Sequence, residues 1–400
     1  MTITYNAPPG TPSDIGPQAV LVKYEKQALI EARQKQYLHE IAPSAKSIPR
    51  NTGKTIVQDL YVPILDDRNV YAEGLAPNGT TVVAGNLYGS SRDVAVIAGK
   101  LPLVSETSGR SNKVGLTRLQ RTATITRLGL FLEWTDEAEQ FDSDSSLVSH
   151  FSTELVNAAC KISEDVLMMH LLAGAQTIRY AGSATSRGTV TGEGGAGASL
   201  VKYRDIQALS IMLDNAECPK SFKMYTGTNL TDTRTIGSAR PMFIGTELQP
   251  TVENMVDSNN NPAFIPVHKY AAGGAVLNGE IGTLYHFRVV VHPDMQHWSD
   301  GANLAAAGVN NGYLWLDAAQ DKYKVFPMLV VGDEAFATVG FQTTQNGTKF
   351  NIIINKPGAG MATLDNPYGN KGFSSIQWWY ATLIQRAERL GLILTVAPIL

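Results

Sequence analysis

From Leu147 to Ala173 the chain runs without a single Gly or Pro, and that run limits what it can fold into. Apolar or small residues recur at Val148, Phe151, Leu155, Ala159, Ile162, Val166, Met169 and Ala173. The steps are three or four residues throughout, which is the α-helical period. Asp142, Ser143, Asp144 and Ser145 offer N-caps before the run, and Gly174 offers a stop after it. At about 1.5 Å per residue the helix spans roughly 40 Å, several times the usual three turns. Its surroundings are mostly Gly, Thr, Asn and β-formers. A rod of that length in a β-rich, loop-rich body points to a scaffold before it points to a catalyst.

The rest of the chain divides around this rod. Residues 1–17 are rich in Pro, Thr and Gly and read as an extended arm. Residues 18–40 read as a charged helix with a thin apolar face (Leu21, Tyr24, Ala28, Ala32), ended by Pro43 and Pro49. Strand-like sequence follows from Lys54 to Ile64. Residues 72–127 show no helical period. Turn signals at Pro77-Asn78-Gly79, Gly89-Ser90-Ser91 and Ser108-Gly109 separate short β pieces such as Val94–Ile97. A protruding two-stranded arm fits this stretch, and such an arm needs a partner surface to be stable. Residues 122–134 read as a strand leading through Thr135-Asp136, another cap signal, towards the long helix. A Gly/Ser/Thr connector covers 181–199. A second helix is expected near 203–215, with Ile206, Leu209 and Leu213 on one face. Further strands are expected at Phe222–Thr226, Leu284–His292, Val325–Val331 and Lys349–Asn355. Tyr368–Leu400 reads as strand or helix around Trp378, Trp379 and Tyr380.

The totals exclude several classes. Net charge is −3, from 33 basic and 36 acidic residues among 400. A dedicated nucleic-acid binder would show a basic excess. The two cysteines, Cys160 and Cys218, are too few for a disulfide framework and suit a reducing compartment. Met1–Gly10 has neither a basic nor an apolar region of signal-peptide type. No apolar run approaches the ~20 residues needed to span a bilayer. A soluble protein made in the cytoplasm is expected.

Catalytic motifs are incomplete wherever they begin. Gly53-Lys54-Thr55 resembles the end of a phosphate-binding loop, but the required upstream Gly is Ile48. A turn leading into a strand is the plainer reading. Gly192-Glu193-Gly194-Gly195-Ala196-Gly197 fits a dinucleotide fingerprint in letters, yet no buried apolar strand precedes it. His39-Glu40 opens a zinc-protease motif whose second His would fall on Pro43. His286 and His292 would lie ~20 Å apart on one strand and could not share an ion with Asp294 and His297. No G-x-S-x-G occurs. No enzyme, cofactor or metal is expected.

Charge segregation is the positive signal. Residues 107–132 carry Arg110, Lys113, Arg118, Arg121 and Arg127 with no acid. Residues 133–160 carry Glu133, Asp136, Glu137, Glu139, Asp142, Asp144 and Glu154 with no base. Two solvated faces would explain this. So would docking of one subunit's basic arm on another's acidic helix start, with Arg110, Lys113, Arg118 and Arg121 meeting Glu137, Glu139, Asp142 and Asp144. The acids also suit the positive end of the helix dipole.

The order of elements is extended arm, thin helix, strand, long β arm, strand, long helix, mixed α/β region and closing β segment. In that order the chain resembles the tailed-phage major capsid proteins of the Hong Kong 97 type. Local motifs resemble those of the N-four-like podophages (Schitoviridae) and their prophage relatives. They are Asn51-Thr52-Gly53-Lys54-Thr55, Glu73-Gly74-Leu75-Ala76-Pro77, Thr135-Asp136, Gly279-Glu280-Ile281-Gly282 with Phe287-Arg288, Gly332-Asp333-Glu334-Ala335-Phe336, Asp365-Asn366-Pro367 and the Trp378 segment.

The resemblance implies an α+β Hong Kong 97-type phage capsid fold. Its parts would be an N-terminal arm over 1–50, a peripheral-domain strand over 51–71 and an extended β arm (E-loop) over 72–127. A peripheral domain over 128–197 would carry the spine helix 147–173. An axial domain over 198–330 and a closing segment over 331–400 would complete the fold. It further implies hexamers and pentamers that tile an icosahedral shell around double-stranded DNA, assembled in the host bacterial cytoplasm. Portal, scaffold and decoration proteins are the implied further partners, and no membrane is. A carbohydrate- or receptor-binding β-rich virion protein or adhesin is the rival reading, and a hydrolase the third. The rival accounts for the Gly, Thr and Asn content but not for the long helix.

Overall fold

The computed structural model describes residues 37–41, 45–49, 52–61, 94–99, 118–141, 147–193, 198–225, 233–236, 239–269, 277–304, 315–319, 321–341, 350–362, 364 and 366–399. Most of the expected helix over 18–40 and most of the arm over 72–127 lie outside them. The described residues form two compact units. The smaller comprises Gly129–Ala159 and Phe350–Gln377. The larger comprises the described parts of Lys35–Leu128, Cys160–Lys349 and Trp378–Leu400.

The long helix is present as Leu147–Gly174. Its residues to Ala159 belong to the smaller unit and the rest to the larger. Its buried face departs from the expected stripe. Leu155 and Ala159 are buried as read, but Met169 is 50% exposed and Ala173 is exposed. The buried ladder continues instead through Ser163, Leu167 and Leu171, flanked by Glu164, Met168 and Leu172. From Val166 to Ala173 every residue but His170 is apolar, so periodicity alone cannot choose a face there. A search by apolar identity also passes over Ser163 and Glu164.

The core of the larger unit is a seven-stranded mixed sheet. Its order is Thr177–Tyr180, Leu390–Thr395, Phe326–Val331, Arg240–Ile244, Phe287–Val291, Glu280–Leu284 and Phe264–Pro266. The three strands from Leu390–Thr395 to Arg240–Ile244 are buried at every position. Continuous apolar runs such as Phe-Pro-Met-Leu-Val-Val suit a strand covered on both faces. The helix Tyr203–Asn215 packs on this sheet through Ile206, Leu209 and Leu213, as its spacing predicts. The strand expected over Leu284–His292 is present as Phe287–Val291, while Leu284 ends the preceding strand of a hairpin. Tyr285 turns the chain with φ +56°, in the left-handed region, without the Gly or Asn that would have announced a turn.

A second, smaller cluster in the same unit joins Ile48, Ala123, Ile125, Val339, Ala381 and Leu383. Ala45–Ile48 runs parallel to Phe336–Phe341, which pairs antiparallel with residues Ala381–Ile384. The strand Thr55–Tyr61 pairs antiparallel with Arg118–Thr124. Gly53 enters it at φ +92°, the turn that the Gly53-Lys54-Thr55 sequence suggested. The single strand expected over 122–134 is two, Arg118–Thr124 and Thr126–Thr135. They break at the buried Ile125, whose N–H bonds Lys54 O at 3.0 Å. The β piece expected at Val94–Ile97 is a short helix, Val94–Gly99. A six-residue apolar run fits either period, and Ala95 and Ala98 favour the helix.

In the smaller unit, Asn351–Asn355 pairs antiparallel with Phe373–Gln377, the first half of the strand Lys371–Ile384. Thr126–Thr135 also pairs with that strand. Gly129 passes so close to the Ile376 carbonyl that a Cβ would lie 3.2 Å from its oxygen. Thr135 does act as a cap, accepting from the Ala138 N–H at 3.3 Å. The helix it starts is Asp136–Phe141, separate from the long one.

Candidate assembly surfaces

Four of the eight candidate contact residues, Arg110, Lys113, Asp142 and Asp144, lie outside the described residues. Arg118 is exposed and lies 3.4 Å from Asp59 on the paired strand. An ion pair that open contributes at most about 1 kcal/mol. Arg121 stands opposite Gln58 and is half-buried. Its Nε and Nη2 are shielded from solvent and have no hydrogen-bond partner among the described residues. Nearby, Lys54 and Arg127 each lie 5.9 Å from the centre of a Trp379 ring. These cations all belong to the larger unit.

The acids belong to the smaller unit. Glu137 is exposed on the Asp136–Phe141 helix. Glu139 already has partners, accepting from Lys356 Nζ at 2.8 Å and Trp134 Nε1 at 3.3 Å. The Lys356 hydrogen bond chiefly holds its carboxyl below the usual range. Trp134 in turn packs on Phe151 of the long helix, ring centres 5.5 Å apart. Glu139 therefore fixes its own short helix as much as it offers a contact.

The most constrained polar group is Glu164, which sequence reasoning passed over. It is 3% exposed in the middle of the long helix. Its Oε1 accepts from the Leu38 N–H at 2.6 Å, and its Oε2 bonds His39 Nδ1. His292 Nε2 lies 3.8 Å from Oε1, an ion-pair rather than a hydrogen-bond distance. The Tyr380 hydroxyl lies 3.3 Å from His39 Nε2, and the Tyr37 ring packs on His292 at 5.0 Å. Burial alone would raise the carboxyl. The two imidazoles and the backbone N–H outweigh it and hold Glu164 at about 2. Burial likewise pushes the Tyr380 hydroxyl above its ordinary range. The result is a pin that ties residues Tyr37–His39 to the helix. The only advance signal was a carboxylate four residues before Met168 on what proves to be the buried ladder.

Arg240 is a second buried anchor. It is wholly buried on its sheet strand and donates to Asp214 Oδ1 at 2.7 Å, to Pro219 O at 3.1 Å and to Cys218 O. It thereby ties the last turn of the Tyr203–Asn215 helix, through Asp214, to the Cys218–Pro219 segment that follows. Neither Cys160 nor Cys218 is in a disulfide, and burial raises the Cys218 thiol. The remaining histidines do not converge. His286 packs on Tyr285, His297 stacks on Phe326 at 5.3 Å, and Asp294 faces Lys161 at 3.2 Å. Among the described residues no group of three potential ligands could hold a metal ion, and no helix is long and apolar enough to cross a membrane.

The fold is that of phage capsid subunits. It matches the capsid of Ralstonia phage GP4 with a TM-score of 0.60 at 11% identity, covering 97% of this chain and 98% of that one. It matches the head structure of Helicobacter pylori bacteriophage KHP40 at 0.53 and 9% identity, covering 94% of both chains. At such identities the likeness speaks for the fold alone, and that fold is the Hong Kong 97 type expected from the order of elements. The sequence carries the identification further. Residues 118–383 match the family model described as phage capsid protein. The major capsid protein of Pseudomonas phage KPP21 is 44% identical over 394 residues, 98% of this chain and 97% of that protein. The chain belongs to the phage capsid protein family, a family of structural proteins rather than enzymes, and serves as a major capsid protein of a tailed phage. The rival reading as an adhesin or hydrolase is not favoured.

Proposed function

We propose that copies of this chain associate as hexamers and pentamers into a closed icosahedral shell around double-stranded DNA. Portal protein, and scaffold or decoration proteins, would join them, with assembly in the host bacterial cytoplasm. The observation that carries this reading is the long helix, pinned through Glu164 and buried along a ladder from Leu155 to Leu171. A stiff rod of that kind suits a subunit that must hold its shape while neighbours pull on it. A net charge of −3 suits enclosing DNA without gripping it, since strong phosphate contacts would hinder packing and release.

The finer assignments are part of the same proposal. Residues 1–50 serve as the N-terminal arm, 51–71 as a peripheral strand and 72–127 as the E-loop. Residues 128–197 form the peripheral domain, 198–330 the axial domain and 331–400 the closing segment. The basic side chains Arg110, Lys113, Arg118 and Arg121 of one subunit dock near Glu137, Glu139, Asp142 and Asp144 of the next. The exposure of Arg118 and Glu137 supports this, because both side chains are within reach of a neighbouring subunit. The ordered motifs support placement with the N-four-like podophages, which electron micrographs of a virion with a short tail would bear out.

Negative-stain microscopy of the purified protein over a range of concentration and ionic strength tests the reading. Shells, tubes or free capsomers are expected. A monomer under every condition would overturn it.

A further inference from the structure

The smaller unit carries an apolar surface that its described residues leave exposed. Among its described residues, Trp134, Leu155, Ala159 and Ile376 are the buried apolar side chains, whereas Phe131, Phe141, Leu364 and Tyr368 are more than half exposed. The strand Asn351–Asn355 is the sharpest case. It reads Asn-Ile-Ile-Ile-Asn, and all five residues are exposed. Ile352 and Ile354 stand opposite Ile376 and Ser374, and Ile353 stands opposite Ser375. Residues opposite each other share a face. Both faces of the strand therefore carry isoleucine. An unbroken β-branched run belongs to a strand covered on both sides, and here the described residues leave Ile352, Ile353 and Ile354 39%, 42% and 44% exposed.

The strand also has an open edge. Phe373–Gln377 takes one side of its ladder, and among the described residues no strand takes the other. No Lys, Pro or bulge interrupts the five positions, although exposed edges are normally blunted in such ways. The sequence is moreover a palindrome. Two copies paired antiparallel about Ile353 would place Ile353 opposite Ile353, Ile352 opposite Ile354, and Asn351 opposite Asn355. A two-fold contact demands that self-complementarity. A second copy also matches the edge in length and in lack of charge.

We propose that two subunits join edge to edge through Asn351–Asn355, antiparallel about Ile353, so that the sheet continues from one subunit into the next. This contact rests on the chain's role as a shell subunit, and the experiment reads assembly and contact separately.

The variant Ile353→Cys is assembled into shells, treated with a mild oxidant and run on a non-reducing gel. Directly opposite residues in an antiparallel pair lie ~4.5–5.5 Å apart between Cα atoms, within the ~4.4–6.8 Å that a disulfide spans. Most of the variant should run as a dimer of the chain, while wild-type shells stay monomeric on the gel. Ile352→Cys alone should cross-link at least ten-fold less. Shells mixed from Ile352→Cys and Ile354→Cys subunits should recover the dimer. Ile353→Lys, which sets two like charges face to face, should lower shell yield at least ten-fold and leave the melting temperature of the isolated subunit unchanged. Normal shells in which Ile353→Cys stays monomeric overturn the proposal. So does cross-linking to a virion protein of another mass, or a wild-type yield from Ile353→Lys. Wild-type protein that never forms shells overturns the shell reading on which the contact stands.

Discussion

Replacing Glu164 by Gln keeps the shape of the side chain and removes its charge. The carboxyl is held at about 2, against an ordinary value of 4.5, by the imidazoles and the Leu38 N–H around it. At about 1.4 kcal/mol per pH unit, that difference is worth about 3 kcal/mol to the folded state. The sign follows from which form the fold prefers. The fold favours the ionised carboxylate, so its contribution is complete above pH 4.5 and is lost as pH falls towards 2. Glu164→Gln should therefore cost about 3 kcal/mol at pH 7. For a chain of this size that lowers the melting temperature by roughly 4–5 °C. The variant should also lose most of the acid sensitivity that this residue gives the wild type between about pH 5 and pH 2. Urea unfolding of the unassembled subunit, followed by tryptophan fluorescence at pH 7 and pH 3, reads both effects. Equal midpoints for the two proteins at pH 7, or parallel loss of stability on acidification, would refute the view of Glu164 as an ionised pin.

Three further outcomes are expected. Leu155→Asp places an unpaired charge on the buried ladder of the long helix and should abolish soluble expression, with an unchanged melting temperature as the contrary result. Arg240→Ala leaves Asp214 and the Cys218 and Pro219 carbonyls without their buried donor and should cost about 3 kcal/mol by denaturant unfolding. Glu137→Lys should slow assembly several-fold at low salt in a light-scattering assay, and combining it with Arg121→Glu should restore part of the rate. A Glu137→Lys rate equal to wild type would remove the charge-docking account.

Elements were legible in the sequence where one period dominated. The helix Tyr203–Asn215 kept its face because Ile206, Leu209 and Leu213 alternate with polar residues. The long helix kept its ends because Gly174 and the absence of Gly and Pro mark them. Its second half lost its face because Leu167, Met168, Met169, Leu171 and Leu172 surround the axis. The hairpin at Tyr285 carried no turn residue to announce it. Val94–Gly99 was too short for its period to be decided. The charged contact residues were visible as a pattern along the chain. Whether a given charge is already satisfied inside the subunit, as Glu139 is by Lys356, depends on a partner 217 residues away. Glu164 was invisible for the same reason, because its partners come from residues 38, 39 and 292.

A reconstruction of the assembled particle at side-chain resolution tests the central claim most directly. The account predicts a closed shell of six- and five-membered rings, each subunit holding the continuous helix Leu147–Gly174 with Glu164 bonded to Leu38 and His39. An open or helical assembly, or a subunit whose helix is broken between Ala159 and Glu164, would contradict it.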